Sequence, residues 1–241
     1  MMIGTALNMA GIIIGSWAGL VRVKSFAPAT EAFWKVMLGA FTVYYGLRLT
    51  WVSLNGSAGQ ILKQLLIVII AMSLGKAAGW ALRFQKLSNH LGQKARTRMQ
   101  AAASTTPQRM SEGFEVCAAL FCAAPLGLVG AIEDGVSDYF YPLAVKGVMD
   151  GLGSVGLARV FGWGVMLSAL PVLAFQGSVT LVCATWVRPF LSEHNLVDSV
   201  SATGGLLVFS VALVMLQIKR VTLADYLPSL IFAPVITWIW R

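Results

Sequence analysis

The sequence predicts an all-α membrane protein, a polytopic transmembrane bundle of about eight helices in a single domain. Hydrophobic residues make up 57% of the 241 residues and charged residues only 12%, whereas soluble domains are typically about 25% charged. Apolar runs of about 20 residues, the length that crosses a bilayer, recur along the chain with short polar gaps. The mean hydropathy of +0.75 agrees with this pattern.

The predicted helices fall into four consecutive parts of one transmembrane domain, residues 1–241. Two three-helix units, residues 1–83 and 163–241, flank a basic linker at 84–112 and two central helices at 113–162. Candidate spans lie at 3–21, 32–52, 60–83, 111–135, 142–162, 163–189, 199–218 and 226–240. The last of these is short for a bilayer at about 1.5 Å per residue, so the count is seven or eight.

Small residues and a proline define the first unit. Gly11, Gly15 and Gly19 recur every fourth residue, which places three positions without side chains on one helix face. This spacing predicts close approach of a neighbouring helix.

A short interfacial segment then leads through Pro28 into the second span, since proline is favoured in the first turn of a helix. Lys76 lies near the end of the third span, where its stem can reach the surface.

The linker combines an apolar face with a basic one. Lys86, His90, Lys94 and Arg98 recur every fourth residue beside apolar residues at helical spacing. This pattern is typical of an amphipathic helix in the cytoplasmic head-group layer. Residues 101–108 are expected to form a flexible tether.

Prolines and glycines interrupt two of the later spans. We expect helix breaks at Pro125 in the fourth span and at Pro171 and Gly177 in the sixth. Backbone groups freed at membrane depth must be covered by protein or water. The fourth span is expected to exit through Glu133 and Asp134 in a short outer loop, which is either an acidic mouth that concentrates cations or a solvated turn.

The fifth span carries charged residues at membrane depth. Lys146, Asp150 and Ser154 are spaced four apart and therefore share one helix face. A carboxylate there is costly and usually faces a protein interior or a wet cavity. Two interpretations remain open: Lys146 and Asp150 neutralise one another within the helix, or Asp150 binds a proton or cation during transport.

Other polar residues are expected at the same level. Gln176 and Ser178 in the sixth span are predicted to contact a solute or ion, and Asn8 in the first span is a further candidate for lining the path. The match between Gly4-Thr5 at the start of the first span and Gly177-Ser178 within the sixth span suggests inverted three-helix repeats, as in many secondary transporters, although glycine-rich helices also match by chance.

Several protein classes are not supported by the sequence. The net charge of +8 comes mostly from loops, where basic residues set membrane orientation, so nucleic-acid binding is not expected. No metal, nucleotide or nucleophile motif is present, so neither a cofactor nor enzymatic activity is predicted. Cys117, Cys122 and Cys183 lie in apolar runs and are expected in the core.

Six segments distributed along the chain resemble the YqgA/YdfK-type family of bacterial inner-membrane proteins. They are GTALNMAGIIIGSWAG (4–19), LGLVGAIEDG (126–135), MDGLGS (149–154), SALPVLAFQGSVTL (168–181), SATGGLL (201–207) and LPSL (227–230). The resemblance implies a multi-pass bacterial membrane protein whose domain is of unknown function. It identifies no catalytic or binding residue.

These observations together favour a secondary transporter of a small solute or ion that works by alternating access. An ion channel and a structural or scaffolding membrane protein without transport are the alternatives. The expected partners are the lipid bilayer and the unidentified solute or ion, and a homo-oligomer is left open. The resemblance implies the bacterial inner (plasma) membrane. Basic residues are concentrated on one side of the predicted spans, which favours both termini being periplasmic or extracellular.

Overall fold

A computed structural model describes residues 2–21, 27–103 and 110–240, and every regular element in these ranges is helical. The helices are α1 (Ile3–Leu20), α2 (Pro28–Ser53), α3 (Ala58–Ala81), α4 (Phe84–Ala103), α5 (Met110–Ala123), α6 (Pro125–Val136), α7 (Tyr141–Phe161), α8 (Gly164–Leu167), α9 (Ala169–Val182), α10 (Arg188–Glu193), α11 (Val197–Met215) and α12 (Ser229–Ile239). A π-helical segment (Cys183–Val187) joins α9 to α10, and a 3₁₀ segment (Leu223–Tyr226) precedes α12.

The predicted all-α membrane class is confirmed, although the count of spans is lower. Within the described residues, four helical stretches are long and apolar enough to cross a membrane: Ile3–Leu20, Ala58–Ala81, Gly164–Glu193 and Val197–Met215. The pair α5 and α6, bent by 60°, makes a fifth if it is one span. Length and composition thus give four or five spans instead of about eight. Both α2 and α7 are long enough, but each carries three charged side chains.

Glycines hold α1 directly against α7, as the spacing in α1 predicts. A Cβ atom added at Gly11 would lie 2.2 Å from the carbonyl oxygen of Gly147, and one at Gly15 would lie 2.0 Å from that of Gly151. The contacts progress in the same direction along both helices, so α1 and α7 are parallel. Their backbones touch without intervening side chains, which is the geometry that small residues permit in membrane helix pairs.

Two further pairs of helices are antiparallel. In the α2–α11 pair, Gly39 lies against Leu216 while Gly46 lies against Gly205. In the α3–α12 pair, Gly75 lies against Ser229 while Gly79 faces the 3₁₀ segment before α12. Along each pair, the residue numbers of the contacts increase in one helix and decrease in the other, so the two helices run in opposite directions. These pairs join the beginning of the chain to its end.

The basic helix α4 packs its apolar face against the bundle. Ala95 is buried in a cluster with Cys117 and Phe161, while the basic residues Lys86 and Lys94 on its other face are exposed. The helix continues to Ala103, into the segment expected to be a tether. The rest of that tether, 104–108, lies outside the described residues, as do residues 23–26 of the expected interfacial segment.

The expected breaks at Pro171 and Gly177 are wrong. Both residues lie within the continuous helix α9. Pro171 is in the first turn, where a backbone N–H has no partner within the helix, so its missing hydrogen bond costs little. The interruptions of this span instead fall at Ser168, between α8 and α9, and at the π-helical segment.

Candidate functional site

The bend between α5 and α6 lies where these two helices meet α7 and α9. Ala124 leaves the helical conformation with φ −68° and ψ 121°, and α6 begins at Pro125. Proline disfavours a helical conformation in the residue before it and is well suited to the first turn of the next helix. The local sequence therefore accounts for the 60° change of direction.

Gly127 allows two polar side chains to approach the first turn of α6. A Cβ atom at this position would lie 2.9 Å from Gln176 Nε2 and 2.9 Å from Lys146 Cε. Gln176 comes from α9 and Lys146 from α7, so the glycine brings three elements together. Any larger residue would have to displace the amide or the lysine stem.

Asn8 on α1 completes the cluster through Gln176. Its Nδ2 donates a hydrogen bond of 3.0 Å to Gln176 Oε1, and both residues are 0% exposed. The two other amide atoms, Asn8 Oδ1 and Gln176 Nε2, have no hydrogen-bond partner in the described structure. One unpaired acceptor and one unpaired donor thus remain in a buried site.

Lys146 and Asp150 form an ion pair on α7. Their side chains are 2% and 13% exposed, and the Lys146 Nζ atom donates to Asp150 Oδ2. The Nζ atom also lies 5.9 Å from the centre of the Phe121 ring, within the range of a cation–π interaction. Of the two interpretations of this pair, neutralisation within the helix is the arrangement that the structure contains. We refer to Asn8, Lys146, Asp150 and Gln176 as the polar cluster.

Two serines expected near the path do not contribute free polar groups. Ser154 shares the face of Asp150, but its hydroxyl donates to the backbone carbonyl of Asp150 at 2.7 Å. Ser178 is exposed, and its hydroxyl donates to the carbonyl of Phe175 at 2.9 Å. Ser178, predicted with Gln176 to contact a solute or ion, lies on a different face of α9 from the buried Gln176, because positions two apart on a helix point in different directions.

The expected position of Glu133 and Asp134 in an outer loop is also wrong. Both lie within α6 and are 0% and 2% exposed, so they form neither an acidic mouth nor a solvated turn. Asp134 Oδ2 accepts a hydrogen bond of 3.2 Å from the backbone N–H of Gly4. Glu133 Oε2 accepts one of 3.0 Å each from Ser137 and Ser201. Ser137 is one helical turn after Glu133, whereas Gly4 and Ser201 come from distant segments that the sequence spacing did not indicate.

A cavity of about 590 Å³ separates α7 from α2 and α11. Charged residues, Glu31, Lys35 and Arg159, line one part of it, and the apolar Met149 and Leu152 line another. Met149 directly precedes Asp150, although Asp150 is not among the lining residues. The cavity therefore reaches the same turn of α7 as the ion pair but a different face.

Phe121 was not selected from the sequence as part of the site. It is an apolar residue in an apolar run, and it lies in the last turn of α5, where its ring contacts Lys146 of α7. The sequence did offer one indication, since Phe121 lies one helical turn before Pro125. This spacing predicts that the aromatic ring lies beside the helix break, but it does not predict that Lys146 contacts the ring.

The helical bundle with a buried polar cluster defines a polytopic membrane protein. The chain belongs to the DUF554 family of proteins of unknown function, whose model matches residues 3–238. It is 30% identical to the uncharacterized membrane protein YdfK of Bacillus subtilis (strain 168), over 99% of this chain and 96% of that protein. It is 22% identical to the uncharacterized protein YqgA of Escherichia coli (strain K12), over 100% and 98% respectively. No solved structure matches the chain.

Proposed function

We propose that the protein is a secondary transporter that moves a small polar solute or ion across the bacterial inner membrane by alternating access. The polar cluster is the binding site in this proposal. The observation that carries it is the pair of unpaired amide atoms, Asn8 Oδ1 and Gln176 Nε2, in residues with no exposed surface.

Unpaired amide atoms are costly in a structural core. Leaving a buried donor or acceptor without a partner costs about 1–3 kcal/mol, and native proteins contain few such groups. A solute with a hydroxyl group could donate to Asn8 Oδ1 and accept from Gln176 Nε2 at the same time. A cluster that serves only to join helices would gain stability by pairing both amides fully or by replacing them with apolar residues.

The arrangement of the helices supports the same class. Secondary transporters commonly combine inverted repeats with broken helices and bind their substrate near the centre of the membrane. The antiparallel pairs α2–α11 and α3–α12 each join one helix from the first three-helix unit to its counterpart in the last. Inverted repeats related by a two-fold axis would produce such pairs. The bent junction of α5 and α6 provides the interrupted helix.

The cavity beside α7 is a route by which the site could be reached. Its charged part, lined by Lys35 and Arg159, lies at the ends of α2 and α7 that the distribution of basic residues places in the cytoplasm. Its apolar part ends at Met149, next to Asp150 in the chain. A small movement of α7 relative to α2 and α11 would open the cavity to the polar cluster. Both chain termini then face the periplasm.

A structural protein without transport is the second candidate, and the ion pair favours it. Lys146 and Asp150 satisfy one another in a nearly closed environment, 2% and 13% exposed. A pair of this kind needs no cargo. The ion pair does not supply partners for Asn8 Oδ1 and Gln176 Nε2. These two amide atoms therefore distinguish the two candidates, because a transported solute would pair with them and a purely structural role leaves them unpaired.

Purified protein is tested first for binding and then for transport. Its thermal unfolding is followed in the presence of amino acids, organic acids, sugars, phosphate, chloride, sodium, potassium and magnesium, because a ligand of the native state raises the unfolding temperature. Solutes that stabilise the protein are then tested for uptake into proteoliposomes. We expect at least one solute to stabilise the wild-type protein and to be taken up.

Three variants identify the site. Gln176→Met removes the unpaired donor and should abolish both stabilisation and uptake, and Asp150→Asn should abolish uptake while membrane insertion is retained. Ser178→Ala, on the exposed face of the same helix α9, is the matched control and should behave as the wild type. Absence of both stabilisation and uptake across the whole panel contradicts the transporter proposal, as does uptake that survives both site variants.

A further inference from the structure

Glu133 is buried in a second polar site, on the opposite part of α6 from the break. Its side chain is 0% exposed. Oε2 accepts hydrogen bonds from Ser137 and Ser201, both at 3.0 Å. Oε1 has no hydrogen-bond partner in the described structure and lies against Gly204, where an added Cβ atom would be 2.0 Å away.

The Glu133 carboxyl has no basic side chain paired with it in the described parts of the chain. Lys146 on α7 is paired with Asp150 instead. The elements packed against α6 present these charged or titratable groups: Tyr141, Lys146, Asp150 and Arg159 on α7; Glu112, Glu115, Cys117 and Cys122 on α5; Asp198 on α11; and Cys183 in the π-helical segment. The sequences of α1 and α9 contain no charged residue.

The groups nearest to Glu133 do not compensate a negative charge. Asp134, next to it on α6, turns toward Gly4 of α1, and Cys183 of the π-helical segment lies against Gly135 of α6. Asp198, at the start of α11, lies against Asn55. Glu133 is also in the last turn of α6, which ends at Val136, and the end of a helix carries a partial negative charge that disfavours an anion.

The hydrogen bonds are too few for an ionised carboxylate. An ionised carboxylate is an acceptor with about four lone-pair sites, whereas Glu133 receives two donors on one oxygen and none on the other. The Ser137 hydroxyl also lies 2.9 Å from the backbone carbonyl of Glu133 and must divide its single hydrogen between the two acceptors. A buried charge in such surroundings takes up a proton and becomes neutral.

From this geometry we infer that Glu133 is a proton-binding site and is neutral in the conformation described here. The inference extends the proposed function, on which its transport role rests, by naming a proton as the coupled ion. The O–H bond of the acid forms when a proton arrives from water and breaks when the proton returns to water, with no electron transfer. Separation of α6 from Gly204 and Ser201 of α11 would hydrate the carboxyl and release the proton. Asp150, held by Lys146, is not the free acid in this conformation.

The proton is detected directly by infrared spectroscopy of the protein at pH 7 in dodecyl maltoside micelles, which contain no ester carbonyl, through the C=O stretching band of a protonated carboxylic acid. We expect this band in the wild type and its loss in Glu133→Gln. Ser201→Ala removes one hydrogen bond to the carboxyl and should shift the band to a higher wavenumber. Glu115→Gln is the control and should leave the band unchanged, because Glu115 is in the exposed ion pair with Arg98.

The outcomes separate this inference from the transporter proposal, because the spectrum needs no transported solute. A band that persists unchanged in Glu133→Gln, or a wild-type spectrum without one, shows that Glu133 is ionised and overturns the inference. If Glu133→Gln does not accumulate in the membrane, an unshifted band in Ser201→Ala has the same meaning. A band that responds as expected, with no uptake of any solute, retains the proton site and rejects only its transport role.

Discussion

The side-chain amides of Asn8 and Gln176 meet across α1 and α9 through a single hydrogen bond of 3.0 Å, although 168 positions separate the two residues in the chain. The bond uses only half of each amide. The Oδ1 atom of Asn8 and the Nε2 atom of Gln176 are buried and have no hydrogen-bond partner among the described residues. This incomplete pairing distinguishes the polar cluster from an ordinary contact between two helices.

Removal of one amide should be more harmful than removal of both. We expect Asn8→Leu to lower the free energy of unfolding by about 1–3 kcal/mol, since it leaves the whole Gln176 amide unpaired. The double variant Asn8→Leu, Gln176→Met leaves no unpaired amide and should be within about 1 kcal/mol of the wild type. Denaturant unfolding in mixed micelles measures both. A double variant as unstable as the sum of the two single variants would show that the amides act independently.

The ion pair on α7 should behave as a buried pair. Lys146→Met leaves Asp150 without its cation and should lower the free energy of unfolding by about 3–5 kcal/mol, whereas Lys146→Met with Asp150→Leu should recover most of this loss. The control is Glu115→Gln in the exposed pair Arg98–Glu115, where the side chains are 41% and 61% exposed. That change should cost at most about 1 kcal/mol. Equal losses for Lys146→Met and the control would contradict the buried position of the pair.

The contact between α1 and α7 should not tolerate even a methyl group. A Cβ atom at Gly151 would lie 2.8 Å from the carbonyl oxygen of Gly11, whereas one at Gly153, on the same helix, would meet nothing within 4 Å. We expect Gly151→Ala to cost about 1–3 kcal/mol by forcing the helices apart. Gly153→Ala should raise stability by up to about 1 kcal/mol, because alanine favours the helix. Thermal unfolding compares the two, and a Gly151→Ala variant as stable as Gly153→Ala would exclude close packing here.

Local chemistry made several features predictable. Composition and the recurrence of apolar runs were sufficient for the helical membrane class. Glycine spacing in α1 predicted close packing because a missing side chain acts wherever the helix meets a neighbour. Pro125 lies where the fourth span bends, since proline restricts its own backbone and that of the residue before it. In each case the physical cause lies within a few residues of its effect.

Other features depended on neighbours that the sequence does not name. Pro171 is the same residue type as Pro125, yet it is absorbed into the first turn of α9. Glu133 and Asp134 precede a polar loop, as exposed acids often do, yet contacts from α11 and α1 bury them. Ser178 follows Gln176 closely in the chain but faces away from the cluster.

The sequence by itself determined that this protein is a bundle of membrane helices and which of those helices carry polar groups, because hydropathy and helical period are properties of the chain alone. Only the tertiary structure decided that Gln176 meets Asn8, that Lys146 holds Asp150, and that Glu133 is enclosed by α11. The helical period determines on which face of its own helix a side chain lies. The identity of the neighbouring helix, which decides whether that side chain is paired, charged or free, follows from the packing of the whole bundle.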